Sequence, residues 1–450
     1  MKTNIVRMAI GAVTVGCMTC QGQVVPKHRD LLVALSSGAN SSIYVVDSDS
    51  GSIRGLLSGI GPSASWPPPT RGIGPSLAET LIKVITTRSG RILTLASART
   101  TPLLEVDPST GDRSSLPISN GNNGVQTVVL TQVDQRTVLV GNGRSSFLPD
   151  IQSELFRVDL TTNVVSRILG GLRGDGPVFG SITSVDLLDH QTAIASEFST
   201  VADSALYRVN LATGDRSIVS LLGPFAASRK VITGGVLSST FTTFGPDGYG
   251  GGPVGNSASY PASVLDGVVY TAISTQPIAN RYYSGVLSVD TATGDRALRL
   301  GYALLGGNLV AAPAIPGLEI DFGSASAINR GLHDELLVGE GFYPTRLFGW
   351  NPRANTGRII TDFAAAFPVS ALQNTRIRSI AVYTNCPADV NLDGIADDAD
   401  FSPFAAAYSI GNCEDPAMPL PCPSDLNADG MVDDADFAIF MTGYDRLLCE

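Results

Sequence analysis

The chain is poor in the residues from which most catalytic and transition-metal sites are built. Its 450 residues include three histidines, His28, His190 and His333, none near a cysteine or at metal-ligand spacing from another. It has no G-x-S-x-G motif, no sialidase-type Asp box and no recognisable Ser/His/Asp grouping. These absences argue against zinc chemistry and against the common serine-hydrolase constellation.

Cysteine is missing from the whole stretch between Cys20 and Cys386. The first two cysteines fall in residues 1–22, which have the form of a secretory signal, with early basic residues, a short apolar run and small residues up to Gly22. A lipoprotein site at Cys17 and a buried N-terminal strand or helix are the alternatives. Once that segment is removed, every remaining cysteine is C-terminal: Cys386, Cys413, Cys422 and Cys449. An even number of cysteines in an exported chain predicts disulfides.

Long apolar runs and basic stripes are also lacking. After residue 22 no stretch reaches about 18 apolar residues, so we expect no membrane span after cleavage. The absence of a Lys/Arg-rich stripe argues against nucleic-acid binding. The net charge of −11 is concentrated in residues 386–450, where 14 acids face only Arg446, and the remainder carries 27 acids and 29 bases. We therefore expect a secreted, extracellular or cell-surface protein, with the periplasm as an alternative, and an acidic C-terminal segment.

Glycine and proline, by contrast, are abundant, with 48 and 27 residues, which is typical of short strands joined by turns. Six segments share one pattern, an apolar strand that ends in Asp or Asn and is followed by a turn: 43–47, 103–107, 155–159, 206–210, 286–290 and 347–351. Three of them continue into Thr-Gly-Asp-Arg, at 110–113, 213–216 and 293–296. We interpret these motifs as structural, because the Asp caps a turn and the Gly permits it.

Another apolar strand precedes each of these six segments, and five have one further strand before that. The first copy lacks this innermost strand, while a spare strand remains at 377–383. Four strands per unit predict a mainly β fold, a six-bladed β-propeller over residues 23–385, closed by pairing of 377–383 with 31–35. The long connections, 59–80, 221–261, 301–322 and 363–376, are then expected on one face, where we place a glycan or protein ligand.

The loops assigned to this face carry aromatic side chains, which either stack on sugar rings or fill gaps between blades: Trp66, Phe241–Phe244, Tyr249, Tyr260, Tyr282, Tyr283, Phe342 and Tyr343. Glu197 and Glu340 each end a second strand at this face and are candidate carboxylates, with solvated loop residues as the alternative. No catalytic residue is assigned. Two hypotheses remain, a binding propeller or a propeller hydrolase or lyase acting on carbohydrate or a lactone.

The C-terminal segment, residues 386–450 (the tail), is a duplication with a shift of 36 residues. In a 12-residue EF-type loop, positions 1, 3, 5, 7, 9 and 12 supply oxygen ligands, and position 6 is Gly. The first copy places Asp389, Asn391, Asp393, the Ile395 carbonyl, Asp397 and Asp400 at those positions. The second copy places Asp425, Asn427, Asp429, the Met431 carbonyl, Asp433 and Asp436 there. Hard oxygen ligands of this kind predict two Ca²⁺ ions.

Each loop precedes one helical face, which contains Phe401 and Phe404 in the first copy and Phe437 and Phe440 in the second. A D-x-N-x-D-G loop that ends in Asp and is followed by a single helix resembles the type I dockerin repeat family, here as a cysteine-framed bacterial variant. The resemblance implies a calcium-dependent dockerin-like domain over 386–450 that docks onto a cohesin-type, scaffold or cell-surface partner. The implied docking positions are Asp398, Ala399, Asp434 and Ala435.

The four tail cysteines permit three disulfide pairings. Since each copy carries its own two cysteines, we expect pairing within the repeats, Cys386 with Cys413 and Cys422 with Cys449.

Overall fold

The computed structural model describes residues 24–444 with internal gaps. The gaps are 38–39, 61–69, 78–82, 88, 96–102, 117–126, 135, 143–152, 171, 179, 199–203, 224–226, 245–248, 256–261, 279–280, 306–307, 316–324, 333, 342–344, 368–371, 373–374, 392–394, 414, 420–421 and 428. Residues 1–22, for which the sequence predicts a secretory signal, therefore lie outside the described residues, as do Asp393 and Cys449.

The described chain is mainly β. Its strands are β1 (Leu31–Ser37), β2 (Asn40–Val46), β3 (Ile53–Ile60), β4 (Thr70–Arg71), β5 (Val84–Thr86), β6 (Ile92–Leu95), β7 (Leu103–Val106), β8 (Arg113–Ser115), β9 (Thr127–Gln132), β10 (Thr137–Asn142), β11 (Glu154–Asp159), β12 (Val165–Leu169), β13 (Gly176–Pro177), β14 (Ser181–Leu187), β15 (Thr192–Phe198), β16 (Ala205–Asn210), β17 (Arg216–Leu221), β18 (Ala227–Arg229), β19 (Val231–Thr233), β20 (Val236–Leu237), β21 (Thr242–Phe244), β22 (Ala262–Leu265), β23 (Val268–Ile278), β24 (Arg281–Val289), β25 (Arg296–Leu305), β26 (Asn308–Ala311), β27 (Ala325–Arg330), β28 (Leu336–Glu340), β29 (Arg346–Asn351), β30 (Thr356–Asp362) and β31 (Thr375–Val382). The helices are α1 (Phe363–Ala366), α2 (Asp398–Ile410) and α3 (Asp434–Tyr444).

Most of these strands form antiparallel sheets of four or five strands. In chain order the sheets are β31-β1-β2-β3-β4, β5-β6-β7-β8, β12-β11-β10-β9, β14-β15-β16-β17, β22-β23-β24-β25-β26 and β27-β28-β29-β30, which we number the first to the sixth sheet. Two smaller sheets, β13-β19-β20 and β18-β21, lie in the connections.

The last strand of this region pairs with its first. Strand β31 is antiparallel to β1, from Leu31 opposite Val382 to Ser37 opposite Thr375. The predicted pairing of 377–383 with 31–35 is thereby confirmed. The innermost strands β31, β5, β9, β14, β22 and β27 each contact the next, and β27 contacts β31. The sheets therefore follow one another in a closed circle.

The hydrophobic core is divided among the gaps between neighbouring sheets. One apolar cluster joins the first three sheets, and further clusters join the third to the fourth, the fourth to the fifth, the fifth to the sixth, and the sixth to the first. Trp350 and Phe348, both fully buried on β29, belong to the cluster between the fifth and sixth sheets. Burial between sheets explains why the strands have apolar residues on both faces.

The predicted turn caps are present. Asp107 Oδ1 accepts hydrogen bonds from the backbone N–H groups of Ser109 and Thr110, at 2.7 and 3.0 Å. Asp290 does the same in the fifth sheet, and Gly111 and Gly294 have φ of 79° and 78°. Positive φ at these positions is available to Gly without a Cβ clash, so the interpretation of the repeat as structural holds for these turns.

A second repeated motif, which our sequence analysis missed, docks onto these turns. Gly-x-Gly-Pro occurs at 72–75, 174–177 and 250–253, ahead of each Thr-Gly-Asp-Arg. The Arg of each turn donates through Nε to the carbonyl of the motif's Pro. Arg216 to Pro177 measures 2.5 Å, and Arg113 to Pro75 measures 2.7 Å. A Cβ on Gly174 would lie 2.0 Å from the Gly214 carbonyl oxygen, which explains the glycine.

This docking corrects the prediction that the long connections all emerge on one face. In an up-and-down sheet, the third-to-fourth strand turns lie at the same end as the first-to-second strand turns. Segments 72–75 and 250–253 belong to long connections, yet they contact third-to-fourth strand turns. Part of the surplus length therefore runs to the short-turn end.

The tail packs its two helices against each other through aromatic rings. The Phe404 and Phe440 rings are stacked with centroids 4.6 Å apart, and both side chains are fully buried. Tyr408 donates to Asp434 at 2.5 Å, and Tyr444 donates to Asp398, so the contacts of one copy are repeated by the other. None of the helices in the described ranges is long and apolar enough to cross a membrane.

The expected cysteine pairing is wrong. Cys413 is bonded to Cys422, which joins the end of the first copy to the start of the second. Cys386 is also disulfide-bonded, and its partner is therefore not Cys413. Pairing within a repeat fails because helix α2 returns the chain to the second copy: the backbone N–H groups of Cys413 and Val432 donate to the carbonyls of Gly430 and Gly411.

Candidate calcium loops and the channel end they cover

The first loop brings its first and last acidic residues together in the interior. Asp389 and Asp400 are both fully buried. Asp397 caps helix α2 by accepting from Ala399 N at 2.8 Å, while Asp400 accepts from the backbone N–H groups of Asn391 and Asp397, at 2.8 and 2.9 Å. This capping box aims the Asp400 carboxylate back into the loop.

The second loop repeats this arrangement. Asp436 accepts from Leu426 N at 2.6 Å, Asn427 N at 3.0 Å and Asp433 N at 3.0 Å. Asp425 accepts from Asp429 N at 3.1 Å and Gly430 N at 3.0 Å. Gly430 has φ of 93°, which a sharp turn at position 6 of such a loop requires.

The donor set of both loops fits a hard divalent cation. Burial raises the pKa of Asp400, and the negative charge of Asp389 raises it further. Burial likewise raises the pKa of Asp425 to about 6, with a contribution from Asp436. Like charges held together away from water are unfavourable unless a cation or a proton compensates them. Carboxylate, amide and carbonyl oxygens at EF-loop spacing are the ligands that Ca²⁺ prefers.

Cys413, Cys422 and Asp425 also lie close enough together to suggest a metal group. The two cysteines form a disulfide, so they offer no thiolate to a metal. The contact instead places position 1 of the second loop beside the disulfide, with Asp425 3.6 Å from Cys413 Sγ.

The four predicted docking residues all lie at the surface. Asp398 and Ala399, at the start of α2, are exposed, and so are Asp434 and Ala435, at the start of α3. The two aspartates are not free, because each accepts a hydrogen bond from a tyrosine of the other copy. Both copies therefore present the same pair of positions outward.

The tail lies against the short-turn end of the sheets. His190, in the turn after β14, has its Nε2 2.7 Å from the carbonyl oxygen of Met418. Thr384, just before the tail, donates to the Thr87 carbonyl in the turn after β5 at 3.2 Å. At the first loop, His28 Nε2 lies 2.6 Å from Asp389 Oδ2, and the two side chains are 2% and 0% exposed.

A cavity of about 750 Å³ lies between the tail and the innermost strands. Its walls come from the last residues of β5, β9, β14, β22, β27 and β31 and from the turns that follow them. The tail contributes Val390, Asn391, Met418 and three prolines. The tail thus covers the central channel at the short-turn end.

Glu197 and Glu340, the candidate carboxylates, are held in place by other side chains and are each 1% exposed. Glu197 accepts from Tyr207 OH at 2.7 Å and from Arg229 Nη2 at 3.0 Å. Burial raises its pKa, and the Arg229 charge opposes that shift. Glu340 accepts from Arg346 at 2.8 and 3.1 Å. Both carboxylates are therefore partners in buried ion pairs, and neither is solvated as the alternative interpretation held.

The loop aromatics divide into packed and exposed rings. Phe244 and Tyr249 meet edge to face at 5.8 Å and pack on the core between the third and fourth sheets. Phe241 is 55% exposed, with Lys230 Nζ 5.7 Å from its ring centroid. Tyr283 packs edge to face on Tyr302. Trp66, Tyr260, Phe342, Tyr343 and the Tyr282 side chain lie outside the described residues.

Comparisons with known proteins give no family. No protein-family model matches the chain, and no curated protein matches it. Among solved structures, the chain is similar to TolB from Acinetobacter baumannii, with 12% identity, a TM-score of 0.43, and coverage of 80% of this chain and 68% of that one. It is similar to a protein of unknown function from Bacteroides caccae at the same identity and TM-score, with coverage of 79% and 98%.

Proposed function

We propose that this is an exported protein made of a six-bladed β-propeller, which binds a glycan or protein ligand, and a calcium-dependent, dockerin-like tail. The tail anchors the chain to a cohesin-type or other cell-surface or scaffold partner. Residues 386–450 bind two calcium ions, one in each loop.

The observation that carries this proposal is the paired geometry of the two loops. In each copy, acidic residues eleven positions apart, Asp389 with Asp400 and Asp425 with Asp436, are buried in one loop at the start of a helix. A solvated acidic surface would leave these carboxylates in water. Their burial, at EF-loop spacing in both copies, supports a role as calcium ligands.

The closed circle of six sheets supports the six-bladed propeller. Each sheet has its own strand next to the channel, and β31 completes the first sheet from the far end of the region. Closure of this kind removes exposed strand edges, which is the main structural problem of an all-β chain.

The position of the tail supports binding on the opposite end. Because the tail covers the channel at the short-turn end, the long-loop end is the one left for a ligand. Phe241 and Lys230 offer an exposed ring with an adjacent cation, a pair that suits a sugar with acidic groups. The engagement of Glu197 and Glu340 in ion pairs favours binding over the hydrolase or lyase alternative.

Glycan arrays probed with the full exported chain, with calcium and with a chelator, test this proposal. We expect glycan binding that Phe241→Ala weakens and that chelation leaves unchanged, since the ring lies outside the tail. Retention on cells or on a cohesin-type scaffold is expected to require calcium. Turnover of carbohydrate or lactone substrates that is lost in Glu197→Gln or Glu340→Gln would contradict the non-catalytic proposal.

A further inference from the structure

The environment of Asp389 differs from that of its counterpart Asp425 because a side chain from the propeller region reaches it. His28 precedes β1 and is separated from Asp389 by 361 residues, yet its Nε2 lies 2.6 Å from Asp389 Oδ2. Both side chains are withdrawn from water, at 2% and 0% exposure. At the equivalent position of the second copy, Asp425 faces the disulfide of the tail itself.

The second ring nitrogen of His28 defines the direction of this hydrogen bond. Asn385 N–H donates to His28 Nδ1 at 3.2 Å, so Nδ1 is an acceptor and carries no proton. The neutral ring then carries its proton on Nε2 and donates it to Asp389 Oδ2. A neutral donor orients the carboxylate without placing a positive charge beside the cation.

A histidine that donates to a ligating carboxylate acts as the outer-shell partners of metal sites act. Such partners orient the ligand before the metal arrives, and their loss typically lowers metal affinity by about 10- to 100-fold. His28 and Asn385 belong to the segments that join the tail to the first sheet, where Tyr383 N donates to the Asp30 carbonyl and Arg29 N donates to the Tyr383 carbonyl. The geometry of the first loop is therefore tied to the position of the tail.

We infer that His28 is a positioning residue for the first calcium loop, so that calcium binding at Asp389 and closure of the channel by the tail stabilise each other. The second loop, whose position-1 carboxylate contacts only the tail in the described residues, binds calcium without this coupling. This inference rests on the proposed function, because it requires that the loops bind calcium. Coupling between two equilibria is reciprocal. If calcium binding favours closure of the channel by a given factor, closure raises the calcium affinity of the first loop by the same factor.

Calorimetric calcium titration of the full exported chain tests the positioning role. In an Asp425→Ala background, which leaves the first loop alone, we expect His28→Ala to weaken binding about 10-fold. His28→Gln keeps an N–H donor and is expected to recover part of that loss. In an Asp389→Ala background, His28→Ala is expected to leave the second loop unchanged. His190→Ala removes a tail contact that touches no ligand, so any loss of first-loop affinity that it causes reports the coupling alone, and we expect that loss to be smaller than the one in His28→Ala.

The coupling is measured by hydrogen exchange at the turn after β14, residues 188–191, against which the tail lies. We expect calcium to slow exchange there in the wild type and in Asp425→Asn, and to have no effect in Asp389→Asn. The two substitutions make the same chemical change at equivalent positions of the two loops. A difference in exchange between them therefore cannot come from the loss of a loop ligand alone.

Two results overturn the inference and are distinct from failure of the proposed function. If the chain binds no calcium, the proposed function fails. If it binds two ions and His28→Ala leaves both affinities unchanged, or weakens both equally, the positioning role is wrong. If Asp389→Asn and Asp425→Asn change the exchange of residues 188–191 alike, calcium binding and channel closure are not coupled through the first loop.

Discussion

The two loops of the tail have nearly the same sequence but different surroundings. In loop 1 (residues 389–400), Asp389 is held by His28, which precedes β1. Loop 2 (residues 425–436) lies beside the Cys413–Cys422 disulfide, which Asp425 contacts. Within each loop the last acidic residue accepts hydrogen bonds from backbone donors at equivalent positions, Asp400 from Asn391 and Asp397 and Asp436 from Asn427 and Asp433. A duplicated motif can therefore keep one loop geometry while its two copies acquire different supports.

Removal of calcium is expected to have the largest effect on this comparison. The tail carries 14 acids against one base, so without cations its self-repulsion favours opening. We expect chelation to increase hydrogen exchange in α3 more than in α2, because loop 1 keeps the contact of Asp389 with His28. The strands of the sheets serve as the internal control. Equal loosening of both helices would show that the contact at His28 gives loop 1 no added support.

Replacing either phenylalanine of the stacked pair between α2 and α3 tests whether the two helices contribute equally to the stability of the tail. Phe404 and Phe440 are fully buried and stacked on each other, so Phe404→Ala and Phe440→Ala are each expected to cost about 3–5 kcal/mol of tail stability. Denaturant unfolding, monitored by hydrogen exchange of the tail, measures both stability losses. Phe437→Ala is the control, since that ring is exposed. A large difference between the two buried positions would break the proposed equivalence of the helices.

Loss of the disulfide is expected to act on loop 2 more than on loop 1. Cys413 and Cys422 are nine residues apart, and opening so short a ring costs about 2–3 kcal/mol in the chain-entropy model. In the double variant Cys413→Ser with Cys422→Ser, we expect weaker calcium binding at loop 2 and little change at loop 1. Calorimetry of the variant measures both sites, and an equal loss at both would contradict the assignment of this bond as a support of loop 2.

The pairing of the remaining cysteines follows from the same duplication. The shift of 36 residues maps Cys413 of the first copy onto Cys449 of the second, and Cys422 of the second copy onto Cys386 of the first. The symmetric equivalent of the Cys413–Cys422 bond is therefore Cys386–Cys449, and Cys386 is disulfide-bonded. We therefore expect non-reduced peptide mapping to recover Cys386 joined to Cys449. A Cys386 peptide linked to Cys413 would contradict the inference that the disulfides follow the symmetry of the two copies.

The smallest expected effect concerns the tyrosines that cross between the copies. Tyr408 donates to Asp434, and Tyr444 donates to Asp398, both at exposed sites. Tyr408→Phe and Tyr444→Phe should each lower the stability of the tail slightly, and by similar amounts. Thermal unfolding of the tail, monitored by hydrogen exchange, compares them. A cost confined to one tyrosine would show that this part of the duplication is not symmetric.

Local patterns were sufficient to predict much of this structure. The apolar strands that end in Asp or Asn predicted the third strand of each sheet, and the spare strand at 377–383 predicted the closing pair with β1. Both signals are periodic and contained in a few neighbouring residues. The Gly-x-Gly-Pro motif was equally readable, because it recurs three times before Thr-Gly-Asp-Arg, but its meaning depends on an arginine about 38 to 43 residues later.

Contacts between distant segments were not predictable in the same way. Nothing in the residues around His28 indicates that it meets Asp389, because that contact depends on where the tail lies against the sheets. The cysteine pairing failed for the same reason: spacing within each copy suggested one partner, while the fold of α2 brings Cys413 to Cys422. The aromatic loops share this difficulty, since Phe244 and Tyr249 fill a gap in the core while Phe241 is exposed.

The number of calcium ions bound by the full chain, measured by native mass spectrometry after removal and return of calcium, tests the central claim most directly. We expect two ions for the wild type, one each for Asp389→Ala and Asp425→Ala, and none for the double variant. Two ions retained by the double variant, or none bound by the wild type, would contradict the assignment of the two loops as calcium sites.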